Sequence, residues 1–143
     1  MGPELFTNKI EISASEVTIS EVLLNLKNIL MWDREITDMR ELDEKRFMVL
    51  RNRKSLNTRE FISVTQINNQ INYVSTRGKV EYVVIWTMDK IDYGRTRLTQ
   101  TLHLKKKNKW VPISQIIRPI VQAAFVKNLR ALKQFCEMEH VGQ

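Results

Sequence analysis

The chain has 143 residues, of which 43% are hydrophobic and 27% are charged, and these values fit one globular domain over residues 1–143 rather than two domains. The formal net charge is +7, which favours association with phosphates or anionic headgroups without proving it. No stretch approaches the roughly 18 apolar residues that cross a bilayer, no secretory signal is visible, and the single cysteine excludes an intramolecular disulfide. The prediction is a cytoplasmic protein.

The first elements follow from hydrophobic periodicity. Residues 5–13 alternate as a strand, and the pattern then changes to helical spacing as far as Trp32. Ser13 with Glu16 fits a capping box at the start of this helical region, and Ser15 is the competing N-cap. The sequence therefore predicts a strand followed by two short helices.

Residues 34–105 are rich in β-branched and aromatic residues, interrupted by short turn-like breaks. Because the breaks are short, consecutive strands should pair as an antiparallel meander. In the last of these strands only one face is apolar, and it carries Gln100 among leucines. The six predicted strands cover residues 35–42, 45–53, 58–68, 70–77, 79–91 and 95–105.

The final segment, about residues 112–137, has the spacing of a long amphipathic helix. Pro119 should kink it or mark a break near its first turn. Asn128 falls near the middle of the apolar arc, and residues 139–143 are predicted to be a flexible tail. A sheet with one dry face and a long amphipathic helix can close by curling the sheet around the helix, which makes the fold class α+β.

Four stretches of the sequence resemble the START-like, or helix-grip, superfamily, also called SRPBCC. They are "IEISASEVTISEVL", "NILMWD", "DYGRTRLTQTLHL" and "IIRPIVQAAFVKNLRALKQFCE", although the family usually has Pro where Ser15 stands. The resemblance covers about residues 5–138 and implies a strand, two short helices and a six-stranded antiparallel meander curled around a long C-terminal helix. It also implies a cavity between sheet and helix.

The family resemblance leaves the function open, because its members include lipid-transfer domains, polyketide cyclases and dehydratases, plant hormone binders, a coenzyme Q-binding branch and co-chaperones. The first prediction is binding, or transport, of a small hydrophobic ligand or lipid. A polyketide cyclase or dehydratase-like enzyme is one alternative, and a co-chaperone or protein-interaction module is another.

Little in the sequence indicates chemistry. There is no GxSxG, P-loop or GxGxxG motif, and His103, His140 and Cys136 lie far apart on different elements. We therefore predict neither a metal site nor a cofactor. The predicted inner faces show no convincing carboxylate for acid–base catalysis, which weighs against an enzyme.

The predicted cavity is lined by two strand aromatics, two amides and one helix aromatic. A buried amide destabilises the fold unless it is paired, so both amides should point into one cavity. The alternative for each residue is an ordinary role in the core, bonded to the protein or to a buried water. The five ligand-binding candidates are Tyr82, Trp86, Gln100, Phe125 and Asn128.

A lysine-rich stretch joins the last strand to the final helix. It predicts a rim that touches an anionic membrane surface transiently, with the tryptophan at the interface. A solvated turn is the alternative, and nucleic-acid binding ranks last because no RNP-like, KH or helix-turn-helix pattern is present. The candidate rim residues are Lys105, Lys106, Lys107, Lys109 and Trp110.

Overall fold

The structure is a computed structural model that describes residues 2–52, 55–105 and 118–141, with side chains as far as Met138. The described part has an α+β architecture. Its strands are β1 (Glu4–Ile12), β2 (Ile36–Asp43), β3 (Arg46–Arg51), β4 (Arg59–Ile67), β5 (Gln70–Thr76), β6 (Tyr82–Asp92) and β7 (Arg95–Leu104). Its helices are α1 (Glu16–Leu24), α2 (Ile29–Trp32) and α3 (Arg118–Val141), with a 3-10 turn over Leu26–Asn28.

The strands form one antiparallel sheet in the order β1-β7-β6-β5-β4-β3-β2. Each of the six predicted meander strands overlaps one of β2 to β7, so the meander is confirmed. The sheet nevertheless has seven strands, because β1 pairs along β7 with Phe6 opposite Leu102 and Ile10 opposite Leu98. The register of β7 also agrees with the prediction, since Leu98, Gln100 and Leu102 are all buried on one face.

Helix α3 packs on the buried face of the curled sheet through Leu129, Leu132 and Cys136, all of which belong to the core. Pro119 is the second residue of α3, where a missing N–H costs little because first-turn N–H groups have no acceptor within the helix. The helix continues to Val141, into the segment predicted as a tail. Its predicted start near residue 112 and residues 142–143 lie outside the described chain.

The start of α1 resolves the two capping alternatives. Ser15 is the N-cap, and its hydroxyl accepts a hydrogen bond from Thr18 N at 3.2 Å. The capping box of Ser13 with Glu16 is wrong, because Ser13 N donates instead to the Glu137 carboxylate of α3 at 2.8 Å. This bond ties the end of β1 to the C-terminal half of α3. None of the described helices combines the length and the apolar character that spanning a bilayer requires.

Candidate functional site

A cavity of about 810 Å³ lies along the first turns of α3, facing the residues after α2 and the β3–β4 connection. Apolar side chains and a few polar ones line it. The described lining residues are Arg34, Glu35, Asn52, Leu56, Pro119, Ile120, Val121, Ala123, Ala124, Phe125, Lys127 and Asn128. We call this space the outer cavity.

A second, smaller space of about 30 Å³ lies between α2, the sheet and α3, and it has room for one or two water molecules. We call it the inner cavity. Glu35, Phe125 and Asn128 line both spaces, so the two cavities adjoin at these side chains. The described lining residues of the inner cavity are Ile29, Trp32, Asp33, Glu35, Arg51, Ile62, Tyr73, Tyr82, Val84, Trp86, Gln100, Phe125 and Asn128.

The structure brings all five predicted site residues together around the inner cavity. Only Phe125 and Asn128 also reach the outer cavity, where a drug-sized molecule would have room. Gln100 and Asn128 both face the inner cavity, but each also has a protein partner. Gln100 Oε1 accepts from Asn8 Nδ2 at 3.0 Å, and Asn128 Oδ1 accepts from the Arg34 backbone N–H at 2.9 Å. Their role in ligand binding stays a prediction.

Aromatic rings form much of the inner cavity wall. The Trp86 ring meets Trp32 edge-to-face, with centroids 6.0 Å apart, and Tyr73 at 5.6 Å. The Tyr73 hydroxyl donates to the backbone oxygen of Leu23 at 2.6 Å. In contrast, the indole N–H groups of Trp32 and Trp86 find no acceptor within the described residues. Two residues of this wall therefore carry an unpaired donor.

A buried ionic cluster stands beside these rings, and the prediction that no carboxylate lies on an inner face was wrong. Arg51 Nη1 lies 2.7 Å from Asp33 Oδ2 and 3.6 Å from Glu35 Oε1. Arg51 Nε lies 3.5 Å from Glu60 Oε1, which is an ion-pair distance, but the alignment falls short of a hydrogen bond. Three carboxylates thus surround one guanidinium.

Two of the three carboxylates are well supplied with donors. Glu60 is fully buried and accepts from the Tyr82 hydroxyl at both oxygens, and from Asn57 Nδ2 at 3.2 Å. Asp33 Oδ1 accepts from Asn128 Nδ2 at 3.0 Å and from the Glu35 backbone N–H at 3.1 Å. Such bonds stabilise a charged carboxylate away from water.

Glu35 differs from the other two, because its partners among the described residues are the shared Arg51 and the Ser55 hydroxyl. Burial raises the pKa of Glu35, Asp33 and Glu60 add to the rise, and the Arg51 charge opposes it. Its side chain is 17% exposed. A carboxyl with a raised pKa at the junction of the two cavities can accept a hydrogen bond or exchange a proton with a bound molecule.

We expect Glu35→Gln to be more stable than the wild type at pH 7 by up to about 1 kcal/mol, because glutamine carries no charge to desolvate. A raised native pKa means that wild-type stability falls as the pH rises through it, so the difference should vanish below the ordinary glutamate value of 4.5. Urea unfolding from pH 4 to pH 8 measures this. Glu44→Gln, in the exposed β2–β3 turn, should show little difference, and a pH-independent difference for Glu35→Gln would contradict the assignment.

The predicted membrane rim lies mostly outside the described residues. Lys105 follows the end of β7, with its Nζ 3.8 Å from Glu81 Oε1, whereas Lys106, Lys107, Lys109 and Trp110 are not described. The membrane rim therefore stays a prediction. The cytoplasmic location also stays a prediction. Across the described ranges, no group of three or more His, Cys, Asp or Glu has an arrangement that could hold a metal ion.

No family model and no curated protein matches this chain. Solved structures do match at the level of the fold. A START superfamily protein from Mycobacterium smegmatis is 16% identical with a TM-score of 0.76, over 95% of this chain and 99% of that one. The Zhui aromatase/cyclase from Streptomyces sp. R1128 is 14% identical with a TM-score of 0.72, over 92% of each chain.

A third solved structure is norcoclaurine synthase from Thalictrum flavum in complex with dopamine and hydroxybenzaldehyde. It is 11% identical with a TM-score of 0.65, over 94% of this chain and 86% of that one. Identities this low establish the fold and not the activity. The resemblance to the START-like superfamily is thereby confirmed, and the α+β architecture agrees with the predicted helix-grip fold except that the sheet has seven strands.

Proposed function

We propose that this chain, which has the START-like (SRPBCC) fold, binds a small and mainly hydrophobic molecule in its outer cavity. The volume of about 810 Å³ is the observation that carries the proposal, because ligand pockets typically span about 300–1,000 Å³. One wall is an apolar part of α3 that includes Val121, Ala124 and Phe125, and Leu56 contributes from the β3–β4 connection. Apolar surface of this kind favours an apolar ligand.

The inner end of the outer cavity supplies the polar groups that would orient such a ligand. Glu35 and Asn128 lie where the outer cavity meets the inner one. A few placed polar groups in an otherwise apolar pocket are typical of small-molecule sites. The similar fold of norcoclaurine synthase, solved with two small aromatic molecules, supports this kind of ligand.

Filling the outer cavity should weaken ligand binding without unfolding the protein. We expect Ala124→Phe to weaken the binding of the neutral fluorescent probe N-phenyl-1-naphthylamine at least about tenfold, since the added ring occupies space that the probe needs. Fluorescence titration measures the affinity, and circular dichroism checks the fold. Gln134→Phe, at an exposed position of the same helix that lines neither cavity, is the matched control.

A failure of the wild type to bind the probe would contradict the proposal, as would equal weakening in the two variants. Native mass spectrometry of freshly purified protein adds an independent reading, because a stoichiometric apolar passenger would identify the chemical class carried from the cell.

A second candidate function is an acid–base enzyme of the cyclase or dehydratase kind. The partly buried carboxyl of Glu35 favours it, since proton transfer needs a titratable group with a shifted pKa beside the bound molecule. The similar fold of an aromatase/cyclase is consistent with it. An enzyme would convert a bound ligand and lose that turnover in Glu35→Gln while keeping its affinity, whereas a carrier would return the ligand unchanged.

A further inference from the structure

The inner cavity is surrounded by groups with a shared requirement for a hydrogen-bonding occupant. Trp32 and Trp86 are 3% and 1% exposed, and both indole N–H groups are without an acceptor within the described chain. A buried donor left unpaired destabilises the fold. The occupant of the inner cavity should therefore contain an acceptor atom.

The occupant of the inner cavity should also be able to donate a hydrogen bond. Glu35 lines this cavity, and the partners of its carboxylate among the described residues are Arg51 and Ser55. The space is only about 30 Å³, so it has room for little more than one oxygen atom. A hydroxyl oxygen and a water oxygen are the small groups that both accept and donate hydrogen bonds.

Resting on the proposed binding function, we infer that the inner cavity receives the hydroxyl group of the ligand. The ligand is then an uncharged alcohol or phenol, with its apolar body in the outer cavity. Its hydroxyl accepts from an indole N–H and donates to Glu35. The junction of the two cavities at Glu35, Phe125 and Asn128 is the place where such a ligand would cross.

The charged and polar groups of the site argue against a carboxylate and against a protonated amine as the head group of the ligand. Asp33, Glu35 and Glu60 around Arg51 leave a formal charge of −2 on the described cluster when all four are ionised, so a carboxylate head would be repelled. A protonated amine would be attracted, but it has no lone pair and cannot accept from Trp32 or Trp86. The unpaired indole donors therefore favour the hydroxyl.

Four naphthalenes with the same body and different heads test this inference by displacing N-phenyl-1-naphthylamine at pH 7. They are 2-naphthol, 2-methylnaphthalene, 2-naphthoate and 2-(aminomethyl)naphthalene. We expect 2-naphthol to bind about 10- to 100-fold more tightly than 2-methylnaphthalene, although it is the less hydrophobic of the two, because the head finds two or more buried partners. The naphthoate should bind most weakly.

Two variants remove the partners of the hydroxyl one at a time. Trp86→Phe removes an indole donor, and Glu35→Met removes the acceptor at similar side-chain volume; each should reduce the preference for naphthol over methylnaphthalene about tenfold. Ile85→Val, on the other face of β6, should leave the preference unchanged. Because the Glu35 side chain is partly exposed, we expect Glu35→Met to fold. The preference for naphthol can then be measured in this variant even if Trp86→Phe does not fold.

The outcomes separate this inference from the proposed function. Equal affinities for naphthol and methylnaphthalene overturn the hydroxyl assignment and leave the apolar outer cavity in place. Tightest binding by the aminomethyl compound overturns it in favour of a cation at the carboxylates. Binding by none of the four, and no binding of the probe, overturns both.

Discussion

Arg51→Met is expected to lower the free energy of unfolding by about 3–5 kcal/mol at pH 7, because it leaves buried carboxylates without their cation. The Arg51 side chain is 7% exposed, and its neighbours Asp33 and Glu60 are buried as well. Bulk solvent reaches these side chains too little to compensate for the lost interaction. The methionine keeps much of the side-chain volume, so the loss reports charge rather than a cavity.

The pH dependence of this variant adds a second reading. Burial raises the pKa of Glu35, so protonation of this one carboxyl at lower pH removes part of the negative charge that Arg51 no longer balances. The difference in free energy of unfolding between the variant and the wild type should therefore narrow. Urea unfolding at pH 7 and pH 5 measures this difference.

Arg46→Met, in the same strand, is the matched control. The ion pair of Arg46 with Asp43 is half exposed, so the loss of this pair should lower the free energy of unfolding by no more than about 1 kcal/mol. If Arg51→Met and Arg46→Met lowered the free energy of unfolding equally, the assignment of a buried ionic cluster would be refuted.

Asn128→Leu is expected to cost about 2–4 kcal/mol, since leucine fits the apolar stripe of α3 but makes none of the hydrogen bonds of the amide. The Arg34 backbone N–H loses its acceptor at 2.9 Å, and Asp33 Oδ1 loses a donor at 3.0 Å. Each unpaired polar group away from water costs about 1–3 kcal/mol.

Gln134→Leu is the control for the Asn128 variant. It also replaces an amide side chain with leucine, but at an exposed position of α3, and should change the free energy of unfolding by less than about 0.5 kcal/mol. Thermal or urea unfolding measures both. If Asn128→Leu were as stable as the wild type, Asn128 would not be the link between α3 and the residues after α2.

Most of the sheet could be predicted from the sequence, because alternation reports directly which face of a strand is buried. In β7 the buried residues Leu98, Gln100 and Leu102 follow this alternation, and the short breaks between the meander strands leave room only for antiparallel neighbours. The place of β1 against β7 depends on pairing between distant parts of the chain. Local periodicity carries no signal for such pairing.

The candidate site was predicted only in part, for two different reasons. The alternation of β4 already places Glu60 on the face of Ile62 and Val64, and the same argument in β3 places Arg51 with Val49. The alternation in these two strands therefore predicts that Arg51 and Glu60 lie on the inner face of the sheet. Asp33 and Glu35 follow α2 in irregular chain, where no period exists, and their burial depends on the tertiary position of α3.

The pairing of β1 with β7 has a consequence for biosynthesis. Phe6 and Leu102, which lie opposite each other, are separated by 96 positions in the chain. At a translation rate of about 5–20 residues per second, Leu102 is made roughly 5–20 s after Phe6. Contacts this distant in sequence give a high contact order and slow folding. During that interval the unpaired edges of β1 are open to pairing with wrong strands.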